Sequence, residues 1–162
     1  MVALNTFLPD EAATLALGEA LAPSIAPGLV VYLRGELGAG KTTLARGILR
    51  GLGYAGRVRS PTYALVELYE LSRLNLHHFD FYRFHDPREW IDAGFRESFN
   101  GRNASLIEWP EKAAGSVPPA DVEITLTQNG SGRNASFISS SLAGQKCMAL
   151  LSDRWPASPS AS

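Results

Sequence analysis

Gly35-Glu36-Leu37-Gly38-Ala39-Gly40-Lys41-Thr42 follows the spacing G-x-x-x-x-G-K-[ST], and each fixed position has a task in holding a chain of phosphates. The glycines permit backbone dihedrals that a side chain would forbid, so successive N–H groups can converge on phosphate oxygens. Lys41 supplies positive charge for the β- and γ-phosphates, and Thr42 offers a hydroxyl to Mg2+. Thr43 follows, placed to reach an α-phosphate oxygen. A helix starting here adds the positive end of its dipole. The blander reading is a glycine-rich turn with an incidental lysine. It is weakened by context, because the pattern stands between an apolar run and an amphipathic segment, where phosphate binding requires it.

A cradle that also hydrolyses needs a carboxylate at the end of a neighbouring strand, to hold Mg2+ and to orient the attacking water. Two acids end apolar runs: Asp80 in "LHHFDFYR" and Glu108 in "SLIEWP". Either alone would read as a surface or capping acid. Two of them downstream of a phosphate cradle point to the metal or water site, with the division of labour between them open. Asp86, Glu89, Glu97 and Glu111 flank helices or loops and read as caps and solvated charges. His77, His78 and His85 look like a metal cluster, but with a single cysteine in the chain and Mg2+ already implied, zinc is disfavoured. His78 lies two residues before Asp80 on the same strand face, which suits a supporting role. In "RSPTYALVE", Pro61 keeps Ser60 extended and Thr62 brings a hydroxyl. That segment reads equally well as a loop contacting a γ-phosphate or as a plain entry to a strand.

The elements that must position these groups are legible in outline. "LNTFL" reads as a short strand, and Pro9, Asp10 and Glu11 suit the first turn of a helix that runs to about Pro23 with Ala13, Leu17 and Leu21 on one face. The continuous apolar run Gly28–Leu33 suits a strand covered on both sides, as in a parallel sheet. Leu44, Ile48 and Leu52 mark the next helix, with Gly51 and Gly53 near its end. Ser60–Leu71 and Leu74–Tyr82 read as a hairpin. Asp86–Phe99 reads as a helix with Pro87 first and a break at Gly94. Ala104–Trp109 is a short buried strand, and Val122–Gln128 pairs with Ala135–Ser141 across the Asn129–Gly132 turn. "KCMALL" reads as a last strand or turn. The expectation is an α/β protein with a three-layer P-loop NTPase-like fold, a mixed central sheet flanked by helices: a single domain over 1–151 and a flexible tail over 152–162.

The chain has 162 residues, 45% hydrophobic and 19% charged, enough for one domain with a real core. A net charge of −1 argues against strong independent nucleic-acid binding. The lone Cys147 forms no internal disulfide and reads as a buried, neutral thiol. No apolar run approaches the length of a membrane span, and "MVALNTFLPDEAAT" lacks a secretory pattern, so a cytoplasmic location is expected. The Asn-Lys-x-Asp guanine-reading motif is absent. Arg46, Arg50, Arg57 and Arg59 do not form an obvious lid, which counts against a small-molecule kinase, the alternative reading. A motor ATPase needs more chain. A compact ATPase whose hydrolysis acts on a partner remains.

"GELGAGKTTLARG", "SPTYALVELYE", "HHFDFYR", "DPREW" and "LIEWPEK" occur in this order and spacing, and together they resemble the TsaE (YjeE) family. The resemblance covers about Phe7 to Ser141. It implies an ATP- and Mg2+-dependent ATPase of bacterial tRNA threonylcarbamoyladenosine synthesis. Such a protein is slow alone, does not transfer the group itself, and acts on the TsaB–TsaD transferase pair to support turnover. It implies contact with tRNA only through that complex, no membrane, and a monomer when isolated. By resemblance, Lys41, Asp80 and Glu108 serve hydrolysis. Gly38, Ala39, Gly40, Lys41, Thr42 and Thr43 hold phosphates, while Thr42 and Glu108 hold Mg2+. Ser60, Pro61, Thr62, His78, Asp80, Tyr82, Arg83 and Trp109 belong to segments that respond to nucleotide or partner. Glu11 and Arg133 match positions near the nucleotide.

Overall fold

The apolar run becomes a strand, β2 (Val30–Arg34), at the centre of a seven-stranded sheet. In sequence the other strands are β1 (Val2–Leu8), β3 (Val66–Glu70), β4 (Asn75–Asp80), β5 (Ala104–Glu108), β6 (Val122–Asn129) and β7 (Gly132–Ser139). The computed structural model describes residues 2–59, 61, 65–86 and 95–155. Strand order is β1-β7-β6-β2-β5-β4-β3. β6, β2, β5 and β4 run parallel, while β1, β7 and β3 add antiparallel edges. The sheet is therefore mixed, as expected, and the parallel strands bring their carboxyl ends to one side.

Three helices are described: α1 (Glu11–Leu21), α2 (Lys41–Gly51) and α3 (Leu142–Ser152). They share one core with one face of the sheet, where Leu17, Leu44, Ile48 and Met148 meet Leu33, Leu106 and Phe137. The opposite face carries a second core of Val30, Tyr32, Phe79, Phe81, Phe84 and Ile107. Two cores on one sheet make three layers. The alternation of side chains along β4 separates them: Leu76, His78 and Asp80 face the helices and Phe79 the other way.

α1 is capped by Asp10, whose Oδ1 accepts the Ala13 N–H at 2.8 Å, so Pro9 stands outside the first turn. α1 and α2 cross at glycines. A Cβ on Gly18 would come within 2.5 Å of the Leu44 carbonyl oxygen, and one on Gly47 within 2.4 Å of that of Leu15. Backbone packed this closely admits no side chain.

Four expectations need correction. "KCMALL" lies inside α3, whose N-cap Ser141 accepts the Gly144 N–H at 3.0 Å and whose buried residues Gly144, Cys147, Met148 and Leu151 have helical spacing. β3 starts at Val66 rather than Ser60. Leu65 N–H donates to the Pro61 carbonyl at 2.7 Å with φ +67, a turn that no strand can include. β4 ends at Asp80 because Asp80 Oδ1 accepts the Tyr82 N–H at 2.9 Å and bends the chain. Of the tail expected from Ser152, Ser152 ends α3 and the next described residues are tied to the body: Trp155 Nε1 donates to Thr6 Oγ1 at 3.0 Å, and Arg154 Nη1 to Ser24 Oγ at 3.2 Å. Residues 156–162 and most of the helix expected over Asp86–Phe99 lie outside the described residues; Phe95–Ser98 form a 3-10 turn.

Candidate functional site

The loop between β2 and α2 delivers Gly35–Gly40 to the carboxyl ends of the parallel strands, where open α/β sheets bind ligands. Gly40 caps α2 at φ +105, and Gly38 has φ +78. Both lie in the left-handed region that glycine enters without strain. Arg133, on β7, holds the loop from outside: Nε donates to the Ala39 carbonyl at 3.0 Å and Nη2 to that of Gly38 at 3.1 Å.

Lys41 is buried at the first position of α2. Its ammonium donates to the Gly35 carbonyl and, at 3.0 Å, to that of Glu36. It also lies 4.5 Å from the centre of the Trp109 ring. Burial pushes its pKa down, and the nearby Glu108 and Asp80 carboxylates pull it back up. The register places Asp80 opposite Glu108 on the adjacent parallel strand, and Glu108 opposite Leu33, two residues before the glycine loop. Both carboxylates are almost fully buried. With Leu37, Gly38, Gly40, Lys41, Thr42, Thr43 and Trp109 they line a cleft of about 240 Å³.

A second cleft of about 330 Å³ shares Gly38, Gly40 and Thr43 with the first. Its other walls are Leu8, Asp10, Glu11, Thr14, Ser131, Gly132 and Arg133. The two form a groove over the loop, one half carrying the acids and the other Glu11 and Arg133. Leu8, Asp10, Thr14, Ser131 and Gly132 escaped the sequence reading. None belongs to a local motif, and the pairing of β1 with β7 together with the packing of α1 on α2 brings them to the glycine loop.

The remaining expected residues surround the first cleft. His78 is wholly buried, and its Nε2 lies 2.6 Å from Glu108 Oε2, so it supports Glu108 rather than Asp80. Trp109 follows β5 at φ +57, and its ring centre lies 5.0 Å from that of Tyr82. Arg83 is exposed in the turn closed by Phe84 N–H on the Phe81 carbonyl, at 3.0 Å. Pro61 is buried; Ser60 and Thr62 lie outside the described residues. A hydroxyl from Thr42 and carboxylates from Asp80 and Glu108 are hard oxygen donors. Mg2+ takes such donors in ones and twos and completes its shell with phosphates and water. The set fits that use. Among the described residues no group of three or more His, Cys, Asp or Glu gathers to hold a metal by itself.

The family model of the threonylcarbamoyl adenosine biosynthesis protein TsaE matches residues 8–135. The Haemophilus influenzae tRNA threonylcarbamoyladenosine biosynthesis protein TsaE is 39% identical over 158 residues, covering 94% of this chain and all of that one. The Bacillus subtilis protein of the same name is 37% identical over 126 residues, covering 78% and 77%. The crystal structure of Bacillus subtilis YdiB superposes with a TM-score of 0.81 at 27% identity, covering 94% of this chain and 95% of that one. With its P-loop fold, its order of motifs and this similarity along most of its length, the chain belongs to the TsaE family of threonylcarbamoyl adenosine biosynthesis proteins.

Proposed function

We propose that this chain binds ATP with Mg2+ in the groove over the β2–α2 loop and hydrolyses it as the accessory ATPase of tRNA threonylcarbamoyladenosine synthesis, acting on the TsaB–TsaD transferase pair to support repeated turnover. The observation that carries this reading is the meeting of Lys41, Thr42, Asp80 and Glu108 in one cleft. When bound, Mg-ATP supplies the cleavable phosphoanhydride and the neutralising charge. The chain's own groups do the rest. The Gly38–Thr43 backbone holds phosphates, and Lys41 turns its ammonium from the Gly35 and Glu36 carbonyls to the phosphate chain. Thr42 and Glu108 hold the cation. Asp80 and Glu108 are the two groups placed to orient the attacking water. Glu11 and Arg133 flank the nucleoside half of the groove, with Glu11 offering an acceptor to a hydroxyl. A net charge of −1 suits a subunit that meets tRNA only through its partners. No helix among the described residues is long and apolar enough to cross a membrane.

Purified protein is expected to hydrolyse ATP slowly, with the rate altered by the TsaB–TsaD pair and no metabolite phosphorylated. Lys41→Ala should abolish nucleotide binding. Glu108→Ala should lower kcat more than nucleotide affinity. Phosphorylation of a small metabolite at a useful rate without the pair would replace this reading with that of a kinase.

A further inference from the structure

Asp80 and Glu108 end neighbouring strands side by side, yet different groups hold them. Asp80 takes a local backbone donor, the Tyr82 N–H. Glu108 is reached by a side chain from the next strand. In the parallel register His78 stands opposite Leu106, so its ring extends diagonally along the helix-facing side of the sheet to place Nε2 2.6 Å from Glu108 Oε2. The ring is fully buried, and its Nδ1 has no hydrogen-bond partner. A carboxylate accepts hydrogen bonds and does not donate them. An Nε2–H···Oε2 bond therefore satisfies both atoms and leaves Nδ1 as the bare nitrogen of a neutral imidazole. With Nδ1 carrying the hydrogen instead, a buried donor would lack an acceptor and two acceptors would face each other across 2.6 Å. The bond commits one carboxylate oxygen and leaves Oε1 on the same side chain, which lines the cleft with Lys41 and Thr42.

We propose that His78 is the positioning residue of Glu108: its Nε2–H fixes one carboxylate oxygen so that the other is presented to the cation shared with Thr42. This rests on the reading of Glu108 as a cation-holding carboxylate. Metal-ligating groups are commonly oriented in this way by an outer hydrogen-bond partner, and removing that partner weakens metal binding by about 10- to 100-fold.

The test measures the Kd of Mn2+ for the protein–ADP complex by loss of the free-ion EPR signal, with protein in excess over ADP, beside ADP affinity in EDTA. His78→Leu keeps the ring's bulk and removes the donor. It should weaken Mn2+ binding about 10-fold or more while leaving metal-free ADP affinity within about twofold. His78→Gln, whose amide N–H reaches the same oxygen, should recover most of the loss. If Glu108→Gln weakens Mn2+ binding and His78→Leu does not, the positioning role is wrong and the cation reading stands. If neither weakens it, the cation reading falls and the inference with it. The unsubstituted protein supplies a check independent of the variants' folding. The 15N shifts of its imidazoles should show His78 as the Nε2–H tautomer, and an Nδ1–H tautomer overturns the proposal.

Discussion

Arg133 shows how much of the site is held by a residue outside its motif. Its guanidinium donates to the carbonyls of Gly38 and Ala39, and also to that of its own neighbour Gly132, so two of its hydrogen bonds fix a loop whose own residues have little side chain to anchor it. Bonds from a charged donor to a carbonyl contribute about 1.5 kcal/mol or more. Arg133→Ala should lower ADP affinity by about 10-fold, the equivalent of about 1.4 kcal/mol, as measured by isothermal titration calorimetry. An unchanged affinity would mean that the loop keeps its shape without the clamp. Lys41 makes the complementary point. Its ammonium is satisfied by the Gly35 carbonyl, by the Glu36 carbonyl at 3.0 Å and by the face of Trp109. Under the proposed function, nucleotide binding exchanges these partners for phosphate oxygens rather than rescuing an idle charge.

At the scale of elements, the α1–α2 crossing fixes where α2 begins relative to the sheet, and so where Lys41 sits. Gly47 lies in the middle of α2, where alanine would ordinarily raise helix stability by about 1 kcal/mol. Here the added Cβ would meet the Leu15 carbonyl oxygen at 2.4 Å, and backbone cannot swing aside as a side chain can. The steric cost decides the sign. Gly47→Ala should destabilise the fold by about 1–3 kcal/mol in urea denaturation. The same crossing shows what sequence could and could not tell. Leu44 and Ile48 announced α2 through their period, and the glycine-lysine motif announced its start, because both signals are local. α3 is not legible in "KCMALL" alone, a short apolar run that fits a strand or a helix. Its helical register appears only when the Ser141 cap and Gly144 are counted with Cys147, Met148 and Leu151. His78 shares its strand face with Asp80, as the spacing suggests, but the group it supports is Glu108 on another strand, which no local spacing reveals. Asp80 and Glu108 themselves were legible because each ends an apolar run. The other half of the groove was not, since its walls come from the end of β1, the start of α1 and the β6–β7 turn, which only the sheet assembles.

For the whole molecule, stability toward acid reflects histidine burial. Burial holds the His77 pKa below its ordinary value, and its Nδ1 has no hydrogen-bond partner. The unfolded chain therefore takes up this proton more readily than the folded one. Its contribution to stability is constant above about pH 6.5 and is lost as pH falls from there toward the lower folded value. His77→Gln should reduce the drop in Tm between pH 7.5 and 5.5 relative to the unsubstituted protein, as followed by circular dichroism. The sheet also carries a consequence for biosynthesis. β1 pairs with β7, Val2 opposite Ser139 and Leu8 opposite Arg133, so the earliest strand waits for one of the last. Closing so long a loop costs conformational entropy that local contacts do not offset in advance. On the ribosome the glycine loop, Lys41 and both acids emerge well before Arg133 does, and β1 has no partner until the β6–β7 hairpin clears the exit tunnel. A nascent chain stalled short of residue 133 thus carries the glycine loop without its clamp, and the loop is held in place only late, with the closing of the sheet's far side.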